Sequence, residues 1–256
     1  MITKKRPIVP IFLLSALVLV CTALRGGEPI RLLFVDRGHP YDEPAFLAML
    51  DSFGDSLAIS RAHLPEDQSM IAPSAKDSFD VVLFYDQDQT PISDEAMADY
   101  RALFDTGIGI FVLHHHLSAH PERPDFWELA GGCYVFESNR NIGGQTLPLG
   151  DYHHDETVRV HVEKKHPIVE GIDDFTIVDE VYENAYVSPE AETLLTTDHP
   201  KSIKQIGWLW NKHRSPVFTL ELGHDAQAYD NPNFRRIFIQ AIRWLKERSD
   251  EIQGKN

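Results

Sequence analysis

Three short runs, IRLLFVD at residues 30–36, FDVVLFY at 79–85 and IGIFVL at 108–113, are apolar at nearly every position rather than at every second one. A strand of that composition is covered on both faces, and the stretches between the runs have helical period. The pattern predicts a parallel sheet clad in helices. After the first strand come a Gly38-His39 turn, a helix at 42–53, a strand at 57–61 and the strand at 79–85. A helix at 93–104 opens on Ser93-Asp94-Glu95, the strand at 108–113 follows, and a short helix at 125–130 stops at Gly131-Gly132. Segments 157–162, 175–182, 192–196, 203–210 and 217–222 alternate instead, which predicts antiparallel or mixed strands widening the same sheet. In residues 233–246 the apolar side chains Phe234, Ile237, Phe238, Ala241, Ile242 and Leu245 fall on one helical face. No Gly-, Ser- or Pro-rich linker interrupts the pattern, so residues 28–250 read as one domain and 251–256 as a polar tail.

The first 27 residues read differently. Lys4-Lys5-Arg6 precedes an apolar run at 7–20, then small residues at Cys21 and Ala23 and a polar stretch from Arg25. That is the layout of an export signal with cleavage after Ala23, and an uncleaved membrane anchor is the alternative. Periplasmic or extracellular placement is expected. Cleavage leaves Cys133 as the one thiol, so no internal disulfide is available, and its Cys-Tyr-Val-Phe setting suggests a packed small side chain. The chain carries a formal charge of -15, and the leader holds four bases and no acid. Such an acidic mature surface argues against nucleic acid as a partner. The absence of a GxGxxG or Walker pattern argues against a nucleotide cofactor.

In an open α/β sheet, ligands gather beyond the carboxyl ends of the strands. The polar residues predicted there are Asp36 and His39, Asp86 and Asp88, the run His114-His115-His116, and His224-Asp225. Consecutive side chains leaving a strand diverge, so at most two of the three adjacent histidines can share one pocket. Asp179, Glu180 and Glu183 surround Tyr182, with Glu180 and Tyr182 expected on one strand face and Asp179, Val181 and Glu183 on the other. Asp151, His153, His154 and Asp155 form a second histidine-acid group, expected in a loop. Imidazoles with carboxylates suit zinc or a similar divalent metal, although no HExxH-type spacing is present.

Several phrases then fit together: FDVVLFYD, GIFVLHHHLSA, HPIVEGIDDF, DEVYENAYVSPEAETLLTTDHPKS and LELGHDAQAYDNPNFRRIFIQAIRWL. They resemble the ThuA-like family, named for trehalose utilisation, from about residue 30 to 246. The resemblance implies a flavodoxin-like three-layer α/β sandwich related to class I glutamine amidotransferases, with a mostly parallel central sheet and added antiparallel strands. In those relatives a cysteine nucleophile sits on a sharp turn after a central strand. This chain has His114 or His115 at that turn, which excludes glutamine hydrolysis through a thioester. Family members often follow Leu-His-His with a small residue, whereas His116 stands here and is expected to narrow the pocket or add a ligand.

Residues carried over by the resemblance are His39, Asp86, His114, His115, Glu180, Glu183, His224 and Asp225. The expected protein is an exported sugar-active enzyme of carbohydrate catabolism. Its substrate would be a disaccharide, glycoside or keto-sugar, handled by acid/base chemistry. His114, His115 and His224 would exchange protons or hold a metal, with Asp86 and Glu180 orienting them. His39, Glu183 and Asp225 would bind substrate, and Trp208, Trp210 or Tyr229 would stack on a sugar ring. The alternative is a non-catalytic carbohydrate-binding or accessory protein. A homo-oligomer is compatible with the sequence.

Overall fold

The computed structural model describes residues 28–123 and 125–255. The export signal read from residues 1–27 lies outside them. Among the described residues, thirteen strands and six α-helices follow one another. The first half comprises β1 (Ile30–Asp36), α1 (Glu43–Asp51), β2 (Leu57–His63), α2 (Ala75–Ser78), β3 (Val81–Phe84), α3 (Asp94–Phe104), β4 (Gly109–Leu113) and α4 (Trp127–Ala130). Short pieces then follow: β5 (Gly132–Cys133), β6 (Arg140–Ile142) and β7 (Gln145–Leu147). The rest is β8 (Asp151–Val162), β9 (Phe175–Glu183), β10 (Tyr186–Val187), β11 (Glu192–Thr197), β12 (Gln205–Trp210), β13 (Val217–Leu220), α5 (Ala226–Tyr229) and α6 (Pro232–Gln253).

Nine strands form one sheet in the order β2-β1-β3-β4-β13-β12-β11-β8-β9. The five from β2 to β13 run parallel, and each later neighbour is antiparallel to the one before it. Alternation along β1 sends Leu32 and Phe34 into the layer shared with α1 and α6, and Leu33 and Val35 into the layer shared with α3 and α4. This three-layer arrangement is a flavodoxin-like, amidotransferase-like sandwich. Among the described residues no helix is long and apolar enough to cross a membrane.

Local signals in the sequence explain several boundaries. Ser93 accepts the Ala96 amide at 3.1 Å and starts α3, and Gly131, at φ 75°, ends α4. The terminal helix extends seven residues past Lys246, into the segment read as a polar tail, because its last turns need no apolar stripe. A larger difference lies in β8, which begins at Asp151 rather than at 157 and so takes in the histidine-acid group expected in a loop. Opposite Glu180 this strand carries two residues, His154 and Asp155, since His153 pairs with Val181 and Glu156 with Asp179. Asp155 has φ 56°. This is a β-bulge, which turns one side chain off the regular alternation.

Candidate functional site

β4 and β13 are parallel neighbours at the centre of the sheet, so the residues that follow them emerge side by side. His114 leaves β4 with φ 37°, a left-handed backbone that bends the chain sharply as it exits the strand. Its Nδ1–H donates to the carbonyl oxygen of Glu221, which fixes the tautomer and points Nε2 away from the sheet. His224 reaches the same point through Gly223, whose φ is 115° and where a β-carbon would lie 2.9 Å from the Phe234 ring, which leaves no room for a side chain. Asp179 holds this turn by accepting the amides of Gly223 at 2.7 Å and His224 at 3.0 Å. Tyr85 donates to the Gly223 carbonyl at 2.7 Å, and Tyr229 to that of His224 at 2.8 Å.

Four donor atoms converge as a result. His224 Nδ1 lies 3.3 Å from His114 Nε2 and 3.2 Å from His115 Nε2. Glu180 Oε1 lies 3.2 Å from His114 Nε2 and 3.6 Å from His224 Nδ1. The Tyr182 hydroxyl adds a contact of 3.1 Å to His114 Nε2, and its ring stacks on that imidazole at 4.8 Å. Zinc bound to imidazole at about 2.0–2.1 Å in a tetrahedron separates its ligand atoms by about 3.3–3.4 Å. Three of these spacings, 3.2, 3.2 and 3.3 Å, lie close to that edge, and His114, His115 and His224 form a group whose ligand atoms all lie within 4.8 Å of one another. His154, Glu180 and His224 form a second such group, and Asp151, His153 and Glu183 a third. Either of the first two could hold a divalent ion, and the buried Glu180 belongs to the second.

Electrostatics divide the imidazoles. Burial works against a charge on His114, but the hydrogen bond and charge of Glu180, aided by Asp179 and Glu221, outweigh it and raise its pKa to about 9. Burial and then the charge on His114 lower His224 to about 4 and push His115 well below the usual histidine range. Glu180 is held below the ordinary carboxylate value: burial opposes this, and the hydrogen bond and charge of His114 dominate. Burial raises Asp179 to about 6 and Glu221 to about 8.

The other predicted residues separate into three sets. His39 joins the site, its ring 4.7 Å from that of His115, because Gly38 (φ 84°) lets the chain pass against the Gln87 backbone, where a β-carbon would lie 2.1 Å from the carbonyl oxygen. Glu183 lies near it but pairs with His153 at 3.0 Å, and Asp225 caps α5 by accepting the Gln227 amide at 2.8 Å. Asp86, Trp208, Trp210 and Tyr229 require correction. Asp86 is fully buried and binds His116 Nδ1 at 2.8 Å, so it orients neither His114 nor His115. His116, stacked on Phe84 at 4.7 Å, points away from the cluster and neither narrows it nor adds a donor. Trp208 and Trp210 are buried in β12, with indole N–H groups donating to Ala130 and Glu128 carbonyls, and Tyr229 is buried beneath the His224 turn. None of these three rings can meet a sugar.

Residues that sequence reasoning set apart complete the site. The bulge in β8 aims His154 Nδ1 at Glu180 Oε2, 2.9 Å away. Glu221 accepts the Tyr182 amide at 2.8 Å. Its sequence signal is a lone acid within the apolar stretch Phe-Thr-Leu-Glu-Leu-Gly. Cys133, whose thiol burial pushes up to about 12, pairs in β5 with β10 and lies outside the cluster. A cavity of about 510 Å³ opens onto His39, His115, His154 and Glu180. Larger clefts of about 660 and 820 Å³ around His166 lie by the start of β13 or beside β8 and contain none of the converging donors.

The sequence profile of the family described as ThuA, trehalose utilisation, matches residues 34–245. No curated protein matches the chain. A ThuA-like protein of Parabacteroides merdae superposes with TM-score 0.69 at 13% identity, covering 85% of this chain and 90% of that one. One from Bacteroides uniformis gives 0.62 at 16% identity over 86% and 92% of the two chains. A GMP synthase component from Thermoplasma acidophilum gives 0.51 at 12% identity over 88% and 98%, which shows the shared amidotransferase-like fold. With its profile covering most of the chain, and with ThuA-like structures sharing its fold, this protein belongs to the ThuA family, whose name ties it to carbohydrate utilisation.

Proposed function

We propose that the protein is an exported, metal-assisted enzyme that acts on a disaccharide, glycoside or keto-sugar. The observation that carries the metal is the three-histidine group of His114, His115 and His224, in which His224 Nδ1 stands 3.3 and 3.2 Å from the other two Nε2 atoms, close to the ligand–ligand edge of a zinc tetrahedron. The sugar is supported by the family, and export by the basic, apolar and small-residue sequence of the first 27 residues. A divalent ion held there would act as a Lewis acid on a sugar hydroxyl or carbonyl oxygen.

The chain's own residues supply the rest. The Glu221 carbonyl takes the His114 Nδ1 proton, the second-sphere contact that metal-ligating histidines need, and a bound ion would displace the proton that a pKa of about 9 keeps on Nε2 at pH 7. His115 and His224 stay neutral at pH 7, as ligands must. His154, half exposed at the cavity and bonded to Glu180, is placed to pass a proton between substrate and water.

Two measurements on the purified mature protein test this. Elemental analysis and zinc titration should find about one tightly held ion per chain, and a panel of disaccharides, glycosides and keto-sugars should show turnover that chelation abolishes. Absence of binding, or turnover indifferent to chelator, overturns the metal. A complete lack of turnover with metals supplied overturns the enzyme.

A further inference from the structure

The cavity has a mixed lining. Beside His115, His154 and Glu180 stand the aromatic and apolar side chains Tyr134, Phe136, Leu149 and Tyr152. Among the described residues the exposed large apolar side chains are Ile59, Leu149 and Tyr152, and the last two stand on this rim, 50% and 53% exposed. Isolated exposed rings are ordinary, but these share the cavity with packed aromatic rings: Tyr134 packs edge-on to Phe136 at 4.9 Å and to Tyr182 at 5.3 Å. Tyr152 in turn sits 5.3 Å from the His154 ring. The wall is fixed in place. Tyr134 donates its amide to Leu117 at 2.7 Å, and Gly150 donates to Val135 at 2.7 Å. A β-carbon at Gly150 would come within 2.9 Å of the Tyr134 ring. Gln87 and Gln89 line the cavity with amide groups, and the Tyr134 and Tyr152 rings there carry hydroxyls.

We infer that the Tyr134, Phe136 and Tyr152 wall is a second subsite, which receives the ring attached to the reacting sugar and so selects two-ring substrates over single sugars. This rests on the sugar reading above. A pyranose has one face of C–H groups, which packs against an aromatic ring, while its hydroxyls need amides and hydroxyls around the edge. Both are present here. At about 510 Å³ the cavity falls within the roughly 300–1,000 Å³ of pockets that enclose drug-sized molecules, the size class of a disaccharide.

Calorimetric titration with zinc supplied decides the matter, using glucose, methyl glucosides, 4-nitrophenyl glucosides, trehalose and maltose as probes. The wild type should bind at least one two-ring probe about tenfold or more tightly than glucose or methyl glucoside. Tyr152→Ala should erase that margin while leaving single-ring affinity unchanged, and Tyr152→Phe should keep it. Because Tyr152 is half exposed, its removal should leave the thermal midpoint in place. If the two-ring and single-ring probes bind equally to wild type, or if Tyr152→Ala weakens both alike, the subsite is wrong and the sugar reading stands. If nothing in the panel binds, the glycoside and disaccharide part of the sugar reading fails and takes the subsite with it. A margin confined to the nitrophenyl glucosides identifies the second ring as an aromatic aglycone, and one confined to the disaccharides identifies it as a sugar.

Discussion

Glu180 turns its Oε2 to His154 at 2.9 Å, while its Oε1 faces the buried imidazoles of His114 and His224. One carboxylate thus joins the solvent-facing histidine to the enclosed ones. His154→Ala should lower zinc affinity about tenfold to a hundredfold, the usual cost of losing a partner that orients a ligand. Competition with a chromophoric chelator measures it, and an unchanged affinity would separate His154 from the site.

Proton linkage gives a prediction for the metal-free protein. His114, raised from 6.5 to about 9, contributes stability that is complete below pH 6.5 and lost as pH rises through 9. Glu221, raised from 4.5 to about 8, acts in the same direction: its contribution is complete below 4.5 and lost through 8. His115 and His224 are neutral in the folded and unfolded chain between pH 7 and 9 and add nothing in that interval. Urea midpoints should therefore fall from pH 7 to 9 in the presence of chelator. A rise would contradict the burial of these groups.

His116 and Asp86 form a pair on the far side of the turn, with Asp86 Oδ2 already lacking a hydrogen-bond partner. His116→Phe keeps a ring against Phe84 but leaves the buried carboxyl without its imidazole. The loss should be about 3 kcal/mol by urea denaturation, with the zinc stoichiometry unchanged. Altered stoichiometry would return His116 to the donor set.

Cys133 offers a control on the core. With its thiol pushed up from 9 to about 12, the reactive thiolate at pH 8 is scarcer by about a thousandfold. Ellman's reagent should react slowly with the native protein and at the ordinary rate in denaturant. Fast labelling of the native protein would mean that solvent reaches the sulfur of this partly buried residue and that the thiol is not held high.

The parallel half of the molecule is legible because buried strands leave continuous apolar runs, and the residues that break such runs mark the strand ends. His39, His114, His115 and His224 all stand at such breaks. His154 reads as part of a separate loop because Asp151–Glu156 has no apolar alternation: β8 begins with mostly exposed residues, and a bulge sets the direction of the side chain. Asp86 and His116 face inward on the other side of the sheet, and no periodicity in a strand of four residues reports that. Trp208 and Trp210 mislead for the opposite reason. An aromatic residue near polar loops suggests a sugar platform, but β12 lies between β11 and β13 with helices over it.

The converging donors come from both halves of the sheet: His114 and His115 follow β4, His224 follows β13, and Glu180 and His154 stand on the antiparallel pair β9 and β8. A refolding intermediate with only its parallel strands docked would offer three imidazoles and no carboxylate to complete the set. Full-strength ion capture should therefore come as one of the last events of refolding, and it would report completion of the whole sheet rather than collapse of either part.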